Sequence, residues 1–212
     1  MQIISHRINT IKDLKNVDHS YGIEVDIRYH NNDIILHHDP FHCQENNLPE
    51  KFEDLLAEYL KKHKGTIILN IKTEGVESRC IDIMNKYNYH DWFFLDLSMP
   101  YFVVYANKAF YGEIRNFTSN NLAVRFSEFE PIEYALSFAN KVKWVWVDCF
   151  TRMPLNQENY QKLKAANFKI CLVAPELQKH PIEKAFEFQE LIKKNNILLD
   201  AVCTKNPQLW NQ

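Results

Sequence analysis

The chain has 212 residues, 46% of them hydrophobic and 25% charged, with a formal net charge of −2 at pH 7. That composition fits one globular domain able to bury its own core, and it lacks the basic excess a nucleic-acid surface requires. Apolar runs such as Trp92 to Leu95 are far too short to cross a bilayer, so no stable membrane insertion is expected.

The first residues, MQIISHRINT, lack a basic region followed by a long apolar stretch, which implies a cytoplasmic location. Gln2 to Ser5 reads as a strand delivering His6 and Arg7. Thr10 to Val17 reads as a short helix with Thr10 as its cap. Gly22 to Arg28 is a second strand, Asn31 to Asp33 a turn, and Ile34 to His37 a short returning strand. Phe41 to Pro49 is loop. Pro49 to Lys62 is an amphipathic helix, with Phe52, Leu55, Leu56, Tyr59 and Leu60 at helical spacing and Gly65 as its stop. Thr66 to Ile71 is a strand leading into Lys72, and Val76 to Tyr87 a helix. Trp92 to Leu95 is a buried strand ending at Asp96, and Ser98 caps a helix to about Lys108. Tyr111 to Asn121 carries no clear pattern. Strands then follow at Leu122 to Phe126, Trp144 to Val147, Phe168 to Val173 and Ile197 to Cys203. Helices lie between them at Glu130 to Ala139, Asn156 to Ala166 and Pro181 to Lys194. Asn206 to Trp210 is a closing turn. The five cysteines, Cys43, Cys80, Cys149, Cys171 and Cys203, are widely spaced without a C-x-x-C, and read as reduced thiols.

Short apolar strands separated by helices imply a parallel sheet covered on its outside. About eight such units point to a single-domain α/β fold, a (β/α)₈ TIM barrel trimmed below the usual length of about 250 residues. The segment from Thr10 to Val17 is the obvious place for the trimming. A doubly wound open sheet is the alternative. A barrel places its active site just after its strands, and His6, Arg7, Glu24, Asp26, His38, Asp39, Asn70, Lys72, Asp96, Asp148 and Glu176 all stand there or close by.

The stretch GIEVDIRYHNNDIILHHDP is the richest in chemistry. Alternation puts Glu24, Asp26 and Arg28 on one face of a strand. Neighbouring carboxylates repel, and a hard divalent cation bound through oxygen relieves that. An exposed, salt-bridged strand face is the plainer reading. Histidines nearby can carry protons near neutral pH. If the strand from Ile34 keeps alternating, His37 and His38 point opposite ways, and only one of them reaches the site. The run His37, His38, His42, Cys43 matches no standard zinc spacing. Only four glycines are present, which argues against a Gly-rich phosphate loop.

These motifs resemble the glycerophosphodiester phosphodiesterase family, within the phospholipase-C-like phosphodiesterases. The family pattern is H-R-G after strand one, E-x-D on strand two, H-D soon after, and E-x-K on strand three. Here they read His6-Arg7, Glu24-x-Asp26, His38-Asp39-Pro40 and Asn70-Ile71-Lys72. The ending LDAVCTKNPQLW is similar to the family's closing segment, and HRINTI resembles the H-x-x-N of sphingomyelinase D toxins, which brings Asn9 toward the site. The resemblance implies a metal-dependent phosphodiesterase acting on a small diester: a glycerophosphodiester, a lysophospholipid headgroup or a phosphodiester-linked sugar. It implies His6 and His38 as general acid and base, without saying which is which. It also implies Arg7 and Lys72 as phosphate ligands, and Glu24, Asp26 and Asn70 as ligands of Mg²⁺, with Ca²⁺ or Mn²⁺ as alternatives. Arg7 and Lys72 could equally pair with Glu24 or Asp26. Asp39 orients the loop, and Phe150 could line the pocket. Three positions depart from the pattern: Ile8 replaces a glycine, the P-E-N-T signature is missing, and Asn70 replaces a glutamate. The last implies weaker metal binding, a substitute carboxylate (Asp96 or Asp148), or reduced activity. A weak or inactive barrel that binds a phosphorylated ligand is the second reading.

Overall fold

The computed structural model describes residues 1–40 and 48–211. Strand β1 (Gln2–Ser5) leads through a single helical turn, α1 (Ile11–Leu14), to a hairpin of β2 (Gly22–His30) and β3 (Asp33–Leu36). Strand and helix then alternate: α2 (Phe52–Tyr59), β4 (Ile67–Ile71), α3 (Glu77–Lys86), β5 (Trp92–Leu95), α4 (Met99–Tyr111), β6 (Ala123–Phe126), α5 (Ile132–Leu136), β7 (Trp144–Val147), α6 (Gln157–Ala165), β8 (Lys169–Val173), α7 (Lys184–Lys194), β9 (Ala201–Thr204) and α8 (Pro207–Trp210).

Eight of these strands run parallel in the order β5-β4-β2-β1-β9-β8-β7-β6, while β3 pairs antiparallel with β2 outside that path. A parallel bridge from Phe94 on β5 to Leu122, just before β6, brings the two ends together. An open doubly wound sheet would hold its edge strands far apart, so the fold is a nearly closed, trimmed (β/α)₈ barrel.

The trimming falls where a helix has too little apolar surface to bury. The helix expected over Thr10 to Val17 is only Ile11–Leu14, capped by the Thr10 hydroxyl accepting from Asp13 N at 3.0 Å. Asp18 then turns the chain by accepting from Ser20 N at 2.8 Å. The helix expected over Glu130 to Ala139 shrinks to Ile132–Leu136. The last strand begins at Ala201 rather than Ile197, and the Asp200 carboxylate accepts from Ile170 N just before it.

Each strand buries both faces. Outward residues such as Ile23, Val25 and Ile27 pack under the helices, while Ile4, Ile68, Phe93, Trp144 and Cys171 fill the barrel interior. Phe93 and Trp144 lie 4.9 Å apart between ring centroids and floor the barrel beneath the candidate site. At the opposite end two backbones touch: a Cβ on Gly22 would lie 2.3 Å from Thr66 O, and one on Gly65 would lie 2.5 Å from Gly22 N. The shortage of glycine elsewhere is met by asparagine, which tolerates left-handed backbone. Asn31, Asn32, Asn88, Asn116, Asn140, Asn167 and Asn196 all have positive φ. Cys80, Cys149, Cys171 and Cys203 are buried free thiols, while Cys43 and His42 fall outside the described residues. Among the described residues no helix is long and apolar enough to cross a membrane.

Candidate active site

Alternation along β2 turns Glu24 and Asp26 inward, and the parallel register sets Asp26 beside Asn70 of β4. All three are buried. Glu24 accepts from Asn70 Nδ2 at 2.8 Å and from Arg7 N at 2.7 Å. Arg7 reaches that position in a left-handed conformation, with φ of 57° where the related motif carries glycine one residue later. Its guanidinium Nε stands 3.6 Å from Asp26 Oδ2. Asn9 completes the frame: its amide donates to Asp26 Oδ2 at 2.8 Å and accepts from Asp26 N at 2.9 Å.

Lys72, one residue beyond β4, bridges two carboxylates, with Nζ 3.7 Å from Asp26 Oδ1 and 3.6 Å from Asp96 Oδ2. Those distances exceed a hydrogen bond, so the ammonium is steered rather than locked. His6 Nε2 lies 3.7 Å from Glu24 Oε2. His38 follows β3, its Nδ1 2.8 Å from Asp39 Oδ1, while His37 Nδ1 lies 2.8 Å from the Asp39 carbonyl. Asp39 thus orients both rings. Hydrogen bonding to His38 in turn holds its carboxyl below the usual range.

Burial decides the protonation of this group. His6 is pushed down to about 3, chiefly by desolvation and then by the charges of Arg7, Lys205, His38 and Lys72, so its ring is neutral at physiological pH. Glu24 is pushed upward, by desolvation first and by Asp26 second, against the opposing pull of Asn70, Arg7 and Lys72. Glu24 is thus the carboxylate with too little positive charge beside it, while Arg7 and Lys72 stand by Asp26. Asp26 Oδ1 and Asn70 Oδ1 are buried acceptors without a hydrogen-bond partner among the described residues, as is His6 Nδ1. An all-oxygen set of two carboxylates and one amide suits a hard cation such as Mg²⁺ or Ca²⁺. Among the described residues no cluster of three or more His, Cys, Asp or Glu gathers for a metal; the third candidate ligand beside Glu24 and Asp26 is the amide of Asn70.

The other half of the barrel mouth is built around Arg125, which the sequence reading overlooked. It points inward from β6 to Asp148 Oδ2 at 2.6 Å and to Asp96, with Glu130 Oε1 at 3.7 Å. Desolvation works against its charge, but Asp96 and Asp148 outweigh that and raise its pKa. Asp148 also takes Trp146 Nε1, Gln178 Nε2 and Cys149 N. Burial nevertheless lifts its carboxyl, outweighing Arg125. Asp96 and Asp148, the two carboxylates that could substitute for the missing glutamate, are both engaged by Arg125. The clue was in A-V-R-F: alternation turns Ala123 and Arg125 the same way, into the barrel. Glu176 accepts from Thr204 Oγ1 and Lys205 N, and ties β8 to β9. Phe150 sits at the rim, 6.0 Å from Phe129 between centroids.

No protein-family model matches the chain, and no curated protein matches it by sequence. Solved structures do. A glycerophosphodiester phosphodiesterase from Agrobacterium tumefaciens superposes with a TM-score of 0.65 at 11% identity, covering 99% of this chain and 98% of its own. One from Thermotoga maritima gives 0.63 at 15% identity, over 98% and 96%. Another from Parabacteroides distasonis gives 0.61 at 13%, over 98% and 93%. The chain shares the fold of these proteins over 98–99% of its length.

Proposed function

We propose that this protein is a phosphoric diester hydrolase acting on a small, glycerophosphodiester-like substrate. One observation carries the reading: His6, Arg7, Glu24, Asp26, Asn70 and Lys72, scattered over some 70 residues of sequence, meet at the C-terminal ends of three adjacent barrel strands. His38 lies just past β3, which pairs with β2 along the same wall of the barrel. The fold of the three solved phosphodiesterases supports the same reaction class.

Glu24, Asp26 and Asn70 would hold a divalent cation, Mg²⁺ first and Ca²⁺ or Mn²⁺ as alternatives. When bound, it supplies Lewis-acid neutralisation of charge on the phosphoryl oxygens. Arg7 and Lys72 bind the remaining phosphate oxygens, the first as a fork and the second as a point charge. His6 and His38 would divide the proton transfers, one ring accepting the proton of the attacking hydroxyl and the other giving its own to the departing alkoxide as the P–O bond breaks; Asp39 holds His38 Nδ1 for either task. Attack by a hydroxyl of the substrate itself yields a cyclic diester, and attack by water a monoester.

A second reading has one observation in its favour. Asn70 donates a hydrogen bond to Glu24 where a third carboxylate would attract a cation. A barrel that binds a phosphorylated ligand without turnover would tolerate that. The test is ³¹P NMR of glycerophosphocholine, lysophosphatidylcholine, sphingomyelin and a sugar phosphodiester, with Mg²⁺, Mn²⁺, Ca²⁺ or chelator. A new monoester or cyclic diester resonance that requires metal, His6 and His38 is expected. Binding without any new resonance, under every metal, favours the second reading and overturns the first.

A further inference from the structure

Arg28 stands two residues beyond Asp26 on the inward side of β2. Its guanidinium makes no salt bridge among the described residues. Instead its donors go to main-chain carbonyls on two other segments. Nε donates to His37 O at 3.1 Å, Nη2 to His38 O at 2.8 Å, and Nη1 to Lys72 O at 3.1 Å. The planar fork therefore joins the chain leaving β3 to the chain leaving β4. Those two exits carry one proposed proton carrier, His38, and one proposed phosphate ligand, Lys72.

We infer that Arg28 is the positioning residue that sets His38 and Lys72 at a fixed separation across the barrel mouth. Neither exit has a regular ladder to hold it there. β3 ends at Leu36 and β4 at Ile71, and beyond them the backbone is fixed by single bonds, His37 N to Asp26 O and Lys72 N to Ile27 O. Arg28 supplies the second point of attachment for each segment. A charged donor on a carbonyl forms a stronger bond than a neutral one, and only guanidinium presents several donors in one rigid plane. Lysine in its place would offer its three donors from a single atom, without the rigid plane that spans both exits. Arg28 does not touch the reacting atoms in this role, and its effect on turnover passes through His38 and Lys72.

The consequence for turnover rests on the diesterase reading, while the clamp itself does not, so the test has two arms. In the first, kcat and KM are measured for Arg28→Ala, Arg28→Lys and Arg28→Gln on the diester turned over by the wild type. A loss in kcat on the order of 100-fold is expected for Arg28→Ala, the cost of a misplacement of about 1 Å. Partial rescue by added methylguanidinium is expected, with little recovery in Arg28→Lys. Adding Arg28→Ala to a His38→Ala, Lys72→Ala double variant should cost little beyond that double variant, because Arg28 acts through those two groups. Losses that multiply, or full activity in Arg28→Ala, overturn the inference. In the second arm, the His38 ring resonances are followed by NMR in Arg28→Gln, which keeps two donors and protects against a variant that fails to fold. Shifted or broadened His38 signals with a preserved fold are expected. An unchanged His38 spectrum refutes the clamp even if the wild type turns nothing over. A silent wild type with a perturbed His38 refutes only the diesterase reading.

Discussion

Replacing Asn70 by glutamate tests the cation site most directly. The Asn70 amide donates to Glu24 Oε1 at 2.8 Å, so an introduced carboxylate would stand within about 4 Å of a buried carboxylate already short of positive charge. Two unit charges at that separation repel by about 4 kcal/mol at an effective dielectric of 20. Protonation of one of them caps the penalty, so a loss of about 2–4 kcal/mol is expected for Asn70→Glu in chelator at neutral pH. For a chain of this length that lowers Tm by about 5–15 °C. A divalent cation reverses the sign, because it then binds three charges instead of two. Thermal melts in EDTA and along a Mg²⁺ series read both effects, and Asn70→Gln controls for side-chain length. Mg²⁺ should raise the Tm of Asn70→Glu more than that of the wild type, with affinity improved at least about tenfold. An unchanged Tm in EDTA, or no gain in Mg²⁺ affinity, refutes the assignment of Asn70 as a neutral ligand beside Glu24.

Three further outcomes follow from the same geometry. Because Glu24 holds its proton more tightly than an ordinary glutamate, binding of Mg²⁺ at pH 7 should release protons, and calorimetry in buffers of different ionisation enthalpy should show this. Equal heats in all buffers count against it. His6 is depressed from 6.5 to about 3, so the unfolded chain binds more protons in that window and its stabilising neutrality is lost as pH falls. Urea unfolding at pH 7 and pH 5 should show wild type losing about 1–2 kcal/mol more than His6→Asn, with Glu24 acting in the opposite direction in both; equal losses contradict the shift. Gly22→Ala should cost about 1–3 kcal/mol, since its methyl would meet Thr66 O at 2.3 Å, and an unchanged Tm would mean the β2–β4 contact relaxes freely.

The fold was legible because strand signals are local. Trp92–Leu95 and Trp144–Val147 are fully buried runs whose bounds were readable to the residue. The ends of helix α1 and of the last strand were harder. Asp18 and Asp200 redirect the backbone through their own carboxylates, a competition that hydrophobic spacing does not register. The half of the site carried by β1, β2 and β4 was visible, because each of its residues stands in a short motif. Arg125 was not, because its partners Asp96, Glu130 and Asp148 come from separate segments and only the closed barrel brings them together. The unpatterned stretch from Tyr111 to Asn121 hides a capping box, in which Thr118 N donates to Asn121 Oδ1 at 2.9 Å, with no apolar period to announce it.

The two halves of the mouth differ in what they leave open. Beside Arg125 the Asp148 carboxylate is met by Arg125, Trp146, Gln178 and the Cys149 backbone, and one buried oxygen of that half, Glu176 Oε2, has no hydrogen-bond partner among the described residues. Around Glu24 they are not: His6 Nδ1, Asp26 Oδ1 and Asn70 Oδ1 stay buried without a hydrogen-bond partner among the described residues, and Asp26 Oδ1 has only the Lys72 ammonium at 3.7 Å. An unmet buried polar atom costs about 1–3 kcal/mol, and most are paired in native folds. Three of them within one side-chain cluster are therefore hard to explain as packing. They are explained if that half of the barrel gains from a ligand what it lacks within the fold. Lys72 joins the halves: it stands between Asp26 on the open side and Asp96, which Arg125 holds on the closed side. The closed half then works as the anchor that aims Lys72, and the open half is where a cation and a phosphodiester would be received.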